Sequence, residues 1–309
     1  MSTRIVSVFG ASGLQGASVV DALLRDGTFV ARALTRNPAS EAGLKLKGRG
    51  AQVVAADSGD KASLVQALRG SEAVFAVTVP TILPAFASGP SELTQGRNMV
   101  DAALEAGVKF FIFSSLPGMK KLSGGKYHNL AHYDDKAEIQ EYLQASGLAN
   151  ASLLLGGFAD SLWTKKYLQK SPSGPGYTIS VPMYNPTALE AHTWVTRDVG
   201  EACLALLKNY DNPAVSISGK SYPVVTANMS YTELAASIEK ALGVPVTVSF
   251  PPTSGNPVRD AMLASHAEYN GLYTDTPVPN PELVALGARL GTLEELVEEV
   301  RKFYSVNDQ

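Results

Sequence analysis

The sequence predicts an α/β fold, a doubly wound parallel sheet with a second, smaller lobe, and three features of its pattern lead there. Apolar runs alternate with helical patterns through the first half of the chain, the arrangement that builds a parallel sheet with helical crossovers. A glycine-rich run stands at the junction of the first strand and the first helix. Beyond Gly147 a last strand at Leu153-Leu154-Leu155 gives way to irregular, proline-punctuated sequence.

The first strand is the apolar segment Arg4 to Phe9, which runs into Gly10-Ala11-Ser12-Gly13-Leu14-Gln15-Gly16. The helix that follows carries Val19, Val20, Leu23 and Leu24 at helical spacing and stops at Gly27. A strand, a turn stripped of side chains and a helix N-terminus, in that order, bring backbone N–H groups and a positive dipole end onto a pyrophosphate. The chain is therefore expected to hold a dinucleotide, although its Gly-x-x-Gly-x-x-Gly spacing differs from the common Gly-x-Gly-x-x-Gly fingerprint.

The second strand, Phe29 to Thr35, ends at Arg36, where an acidic residue would bond the adenosine ribose and favour NAD. A guanidinium offers a planar fork of donors to a 2′-phosphate. The expected cofactor is NADP(H), with Thr35 and Asn37 as neighbouring polar contacts. The third strand, Gln52 to Ala56, leads to Asp57-Ser58, which either meets the adenine edge or caps the next helix.

A strand from Ala73 to Thr78, a Pro-rich connection from Pro80 to Pro90, a helix from about Glu92 to Ala106 and a strand from Lys109 to Ser114 come next. Ligands of doubly wound sheets bind at the carboxyl ends of strands, so Thr78, Val79, Pro80, Ser114 and Ser115 are expected to border the cofactor. Lys120 to Lys126 reads as a loop over the site and Tyr133 to Gln144 as a helix. A return to the nucleotide domain is expected around Trp194 to Leu207, with Asp198 capping a helix, followed by a capping box at Ser230 and Glu233 and an amphipathic helix from Thr292 to Tyr304. The domains are then residues 1–155 with a return at about 191–228, and a smaller lobe of 156–190 and 229–309.

Composition excludes several function classes. In 309 residues, 26 basic and 29 acidic side chains give a net charge of −3, no electrostatic footprint for direct nucleic-acid binding. Cys203 is the single cysteine, so no intrachain disulfide forms, and with four histidines lacking metalloprotease spacing no metal is expected. The first strand begins too early for a signal peptide, and no apolar run is long enough for a membrane span. A cytoplasmic monomer or homodimer is expected, with a nuclear location as the alternative for a regulator.

Chemistry is expected at His132-Tyr133-Asp134-Asp135-Lys136. In Tyr-x-x-x-Lys dehydrogenases a phenol and an ammonium stand one helical turn apart and deliver a proton while hydride moves. Here the residue four before Lys136 is His132, and Tyr133 is three before it. Lys136 is a candidate for bonding the nicotinamide ribose or giving a proton. His132 is a candidate acid or a loop-shaping residue, and Tyr133 reads as packing.

Gly10 to Gly16, Ala33-Leu34-Thr35-Arg36-Asn37-Pro38, Phe113-Ser114-Ser115-Leu116, and His132 to Glu138 followed by Glu141-Tyr142 together resemble the NmrA-like family, an atypical branch of the short-chain dehydrogenases. The resemblance implies a Rossmann domain with a small, mostly helical C-terminal lobe. It implies pyrophosphate contacts from the glycine loop with Ser12, Leu14 and Gln15, a 2′-phosphate contact from Arg36, and Lys136 at the nicotinamide ribose. It also implies that Gly156-Gly157-Phe158 covers the nicotinamide, where this chain has a Gly-Gly pair in place of the family's frequent proline.

Family members include NADPH-sensing regulators and pathway oxidoreductases, so two functions are carried forward. One is an NADPH-dependent reductase of a small apolar or aromatic carbonyl, enone or imine, whose small-molecule substrate meets Phe158, Leu162, Trp163, Tyr167, Tyr177 and Met183, residues that equally suit a core. The other is a redox sensor read by a regulatory protein partner, with Pro80 to Pro90 and Ser171 to Gly176 as readout loops or substrate lids.

Overall fold

A computed structural model describes residues 4–81, 88–172 and 174–307. The elements in chain order are β1 (Ile5–Val8), α1 (Leu14–Asp26), β2 (Val30–Thr35), α2 (Glu41–Gly48), β3 (Gln52–Ala55), α3 (Lys61–Leu68), β4 (Ala73–Ala76), α4 (Glu92–Glu105), β5 (Phe110–Ser115), α5 (Met119–Leu122), α6 (Ala131–Ala145) and β6 (Asn150–Leu155). The rest are β7 (Gly157–Phe158), α7 (Ser161–Thr164), β8 (Leu168–Lys170), β9 (Tyr177–Ser180), β10 (Leu189–Thr193), α8 (Val195–Asn209), β11 (Lys220–Val224), β12 (Ala227–Ser230), α9 (Tyr231–Leu242), β13 (Val246–Ser249), α10 (Pro257–Glu268), α11 (Pro281–Ala285) and α12 (Leu293–Asn307). The chain divides into two units, residues 1–154, 199–222 and 282–289, and residues 155–198, 223–281 and 290–309. Where the sequence suggests one return at about 191–228, this division has two, 199–222 and 282–289.

The first unit is built on the seven-stranded sheet β11-β6-β5-β4-β1-β2-β3, in which β1 to β6 run parallel. This is the doubly wound α/β fold expected from the sequence. The central strands are buried on both faces, all of Ala73–Ala76 and all of Phe110–Ser115, as a parallel sheet covered by helices requires. Strand order reverses between β1 and β4, which opens a crevice at their carboxyl ends. One core cluster packs Leu34, Leu64, Val74, Met99, Phe111 and Ile139 between sheet and helices. Helices α4 and α6 come close because position 96 is glycine: a Cβ there would lie 2.5 Å from Ile139 side-chain carbons.

The second unit has a helical C-terminal region, with α9, α10 and α12, and carries two three-stranded sheets, β12-β10-β7 and β13-β9-β8. Neither small sheet is apparent in the sequence, because strands of two to five residues are too short for a periodic signal. Leu162 and Tyr177, candidates for a substrate pocket, belong to this unit's core with Ile179, Leu234, Ile238 and Val300.

The start of α8 corrects one expectation. Its cap is Asp160, which accepts from Val195 N–H at 2.7 Å and Thr196 N–H at 3.1 Å. Asp198 lies inside the first turn, accepting from the Thr226 hydroxyl at 2.6 Å and from Gly291 N–H at 2.7 Å, and burial pushes its carboxyl up. The capping box at Ser230 and Glu233 is present as expected. Among the described residues no helix is long and apolar enough to cross a membrane.

A polar cluster is buried in this unit. Glu190 accepts from Tyr184 Oη, from His266 Nδ1 at 3.0 Å and from Gly157 N–H at 3.3 Å. Burial opposes the charge on Glu190, but His266, His192 and Tyr184 outweigh it and hold the carboxyl below its ordinary value. His192 donates through Nε2 to the Met229 carbonyl at 3.2 Å, and burial pulls its imidazole below the ordinary value, against the opposing pull of Glu190.

An unfolded histidine takes a proton below about pH 6.5 and the buried His192 resists it, so stability is full above that pH and falls as the medium is acidified. Glu190, also depressed, adds to the loss below about pH 4.5. We expect the melting temperature to fall between pH 7 and pH 5, and His192→Gln to flatten that part of the curve. An unchanged slope in the variant, measured by circular dichroism, would remove His192 as the cause.

Candidate functional site

The loop between β1 and α1 is shaped by close backbone approach. Gly10 takes φ +62°, and its carbonyl accepts from Gly13 N–H at 2.9 Å. A Cβ at position 16 would sit 2.3 Å from the Gly10 carbonyl oxygen, so the first turn of α1 folds tightly over the loop only with glycine there. Gly13 is the N-cap, with no side-chain cap, and the first turn holds no acidic residue. The helix N-terminus thus keeps its N–H donors and dipole for an anion. Gln15 Oε1 is buried and meets no hydrogen-bond partner among the described residues. Ser12 is exposed on the loop and Leu14 is half-buried.

A cavity of about 310 Å³ opens beside this loop at the ends of β1, β2 and β3. Gly10, Ser12, Thr35, Arg36, Asp57 and Ser58 form its polar rim, and Leu34, Ala56 and Met99 its apolar wall. Flat apolar walls with a polar rim suit an adenine and its ribose. Arg36 is exposed at this rim. Asn37, expected nearby, spends its side-chain oxygen on Ala39 N–H at 3.0 Å in a local turn. Asp57 is not the cap of α3: it accepts from Gly59 N–H at 2.9 Å, while Asp60 caps the helix through Ala62 and Ser63.

At the carboxyl ends of β4 and β5 the structure gathers Thr78, Val79, Ser114, Ser115 and Lys136 in the same unit. Lys136, on the inward face of α6, is 6% exposed. Its Nζ donates to Glu92 Oε1 and, at 3.0 Å, to Thr78 Oγ1, and the Thr78 hydroxyl donates to Glu92 at 2.6 Å. Ser115 donates to the Lys136 carbonyl at 3.3 Å. Ser114 is buried at the end of β5. His132, one turn before Lys136, is half-buried with its ring edge-on to Tyr133 at 4.8 Å. Phe158 belongs to the second unit, where it pairs in register with Thr193.

Two residues of this region escape a sequence reading. Glu92 is 1% exposed and sits just after the N-cap Ser91, where an acid reads as an ordinary helix-start residue. Gln95 straps the segment after β4, donating to the carbonyls of Val79 at 2.9 Å and Pro90 at 3.0 Å and accepting from Val79 N–H at 3.0 Å. Of the two suggested readout loops, residues 82–87 and 173 lie outside the described residues.

A model of the NmrA-like family matches residues 2–267. An NmrA-like family domain-containing protein of Dictyostelium discoideum is 30% identical over 81% of this chain and 81% of its own length. The NmrA-like family domain-containing oxidoreductase hkm9 of Aspergillus hancockii is 42% identical, over 46% of this chain and only 42% of its own length. Among solved structures, NmrA, described as a negative transcriptional regulator in complex with NADP, superposes with a TM-score of 0.77 at 18% identity, covering 100% of this chain and 98% of that one. The NADPH-dependent quinone oxidoreductase QOR2 of Escherichia coli, complexed with NADPH, superposes with a TM-score of 0.68 at 22% identity, covering 96% of this chain and 99% of that one. These structures share the fold.

The tightness of the glycine loop generates a direct test. Gly16→Ala forces the first turn of α1 off the Gly10 carbonyl, at about 1–3 kcal/mol in stability, the usual scale of overpacking. Chemical denaturation checks it, and a midpoint equal to wild type would show that the loop yields without cost.

Proposed function

Because this chain belongs to the NmrA-like family, we propose that its first unit binds NADP(H) and that it works as an NADPH-dependent oxidoreductase on a small apolar or aromatic carbonyl, enone or imine. The observation that carries the cofactor reading is the glycine cradle at the start of α1, with no side-chain cap and no acidic residue in its first turn, beside a cavity rimmed by Arg36. Gly10, Ser12, Gly13, Leu14, Gln15 and Gly16 would hold the pyrophosphate, Arg36 the 2′-phosphate, and Asp57 and Ser58 the adenosine edge. The oxidoreductase names of relatives such as hkm9 and QOR2 support the reductase reading.

When bound, NADPH supplies a hydride. The residues of this chain then hold an oxygen at the ends of β4 and β5 through Lys136 Nζ, beside Thr78, Val79 and Ser114. The proton that completes the reduction comes from Lys136 Nζ or from the His132 imidazole one helical turn away. A second reading has its own observation: Lys136 already donates to Glu92 and Thr78, and His132 stands where dehydrogenases carry their acid tyrosine. Those facts favour a protein that holds NADP(H) without turnover and signals through a protein partner.

Arg36→Ala is expected to weaken NADPH binding by roughly tenfold or more while leaving NADH nearly unchanged, the scale of a charge-assisted contact to phosphate. Equal loss for the two dinucleotides in isothermal titration would refute the 2′-phosphate assignment. NADPH consumption is measured against quinones, enones, imines and aromatic aldehydes, with Lys136→Met run beside wild type after both are shown to bind NADPH. Turnover that drops about 100-fold or more in the variant supports the enzyme. No turnover by wild type with NADPH binding intact moves the assignment to the sensor.

A further inference from the structure

We propose that Glu92 is a positioning residue for Lys136: its buried carboxylate fixes the ammonium at the nicotinamide-ribose end of the dinucleotide site and leaves one N–H for a ligand oxygen. This rests on reading the first unit as an NADP(H) site. An ammonium has three N–H donors. One goes to Glu92 Oε1 and one to Thr78 Oγ1 at 3.0 Å, and the Thr78 hydroxyl hydrogen is itself committed to Glu92 at 2.6 Å. The three groups close a triangle in which each holds the orientation of the others.

The triangle is anchored on three elements: Thr78 follows β4, Glu92 opens α4 and Lys136 lies on α6. One turn further along both helices, Gly96 receives Ile139, so this close approach of α4 and α6 is tied to the register that brings Glu92 to Lys136. Lysine is among the most mobile side chains, and ordering it at the moment of binding costs affinity. Glu92 orders it beforehand. The pair is also neutral overall, so the remaining N–H is suited to an uncharged hydroxyl such as a ribose offers and not to a second phosphate.

The test compares NADPH with adenosine 2′,5′-bisphosphate, which carries the adenosine half and its 2′-phosphate but no nicotinamide ribose. Both are titrated calorimetrically into wild type, Glu92→Gln, Lys136→Gln and the double variant. Glu92→Gln is expected to weaken NADPH roughly tenfold and to leave the bisphosphate within about twofold, and the double variant to bind NADPH no worse than Lys136→Gln alone. Equal loss of both ligands would mean a merely structural role and overturns the proposal, as do unchanged NADPH binding or additive losses in the double variant. If Glu92→Gln does not fold, Glu92→Asp, which keeps the charge but withdraws it by one methylene, is read in the same way. A wild-type protein that binds neither ligand overturns the dinucleotide reading itself and is distinguishable from all of these.

Discussion

The ion pair between Lys136 and Glu92 places a cation and an anion in the interior, 6% and 1% exposed, and the geometry around the sheet ends depends on it. Burying either charge alone is costly, and removing one partner of such a pair commonly costs about 3–5 kcal/mol. The pair therefore locks α4 and α6 to one relative position, with Thr78 as the third contact that joins them to the end of β4. The helix N-terminus of α4, where Glu92 sits, favours a negative charge. Lys136 is thereby held against Thr78, just beyond the end of β4.

The glycine loop and the surroundings of Lys136 solve different problems. Around Gly10 to Gly16 the chain removes side chains so that backbone N–H groups lie open at the start of α1. Around Lys136 it packs side chains so tightly that a charged group has one orientation. The first suits a highly charged pyrophosphate that many weak donors can share, and the second suits a single neutral oxygen that must be placed accurately for chemistry. Gln95 connects the two by pinning the backbone of Val79, which borders the cavity beside the glycine loop and follows Thr78.

The second unit also pairs its buried carboxylates internally. Glu190 is satisfied by Tyr184, His266 and Gly157 N–H, Asp160 by the first N–H groups of α8, and Asp198 by Thr226 and Gly291. Each is a carboxylate that holds segments distant in sequence, which lets short strands and loops adopt one arrangement around a modest apolar core.

Local physics made much of this chain readable in advance. The parallel sheet, the glycine loop, Arg36 at the end of β2 and the capping box at Ser230 follow from period, backbone sterics and short-range hydrogen bonding, all of which act within a few residues. The cap of α8 did not follow, because Asp160 is 35 residues from the N–H it receives while Asp198 lies nearby and only looked suitable. Glu92 was invisible for the same reason: it pairs with Lys136 across 44 residues, and its sequence position is that of any acid at a helix start. Sequence alone determined the fold class, the family likeness and the cofactor-type signature, because those are written in contiguous residues. Only the tertiary structure decided what Lys136 is bound to, because the partner of a buried charge is chosen by the packing of helices and not by spacing along the chain.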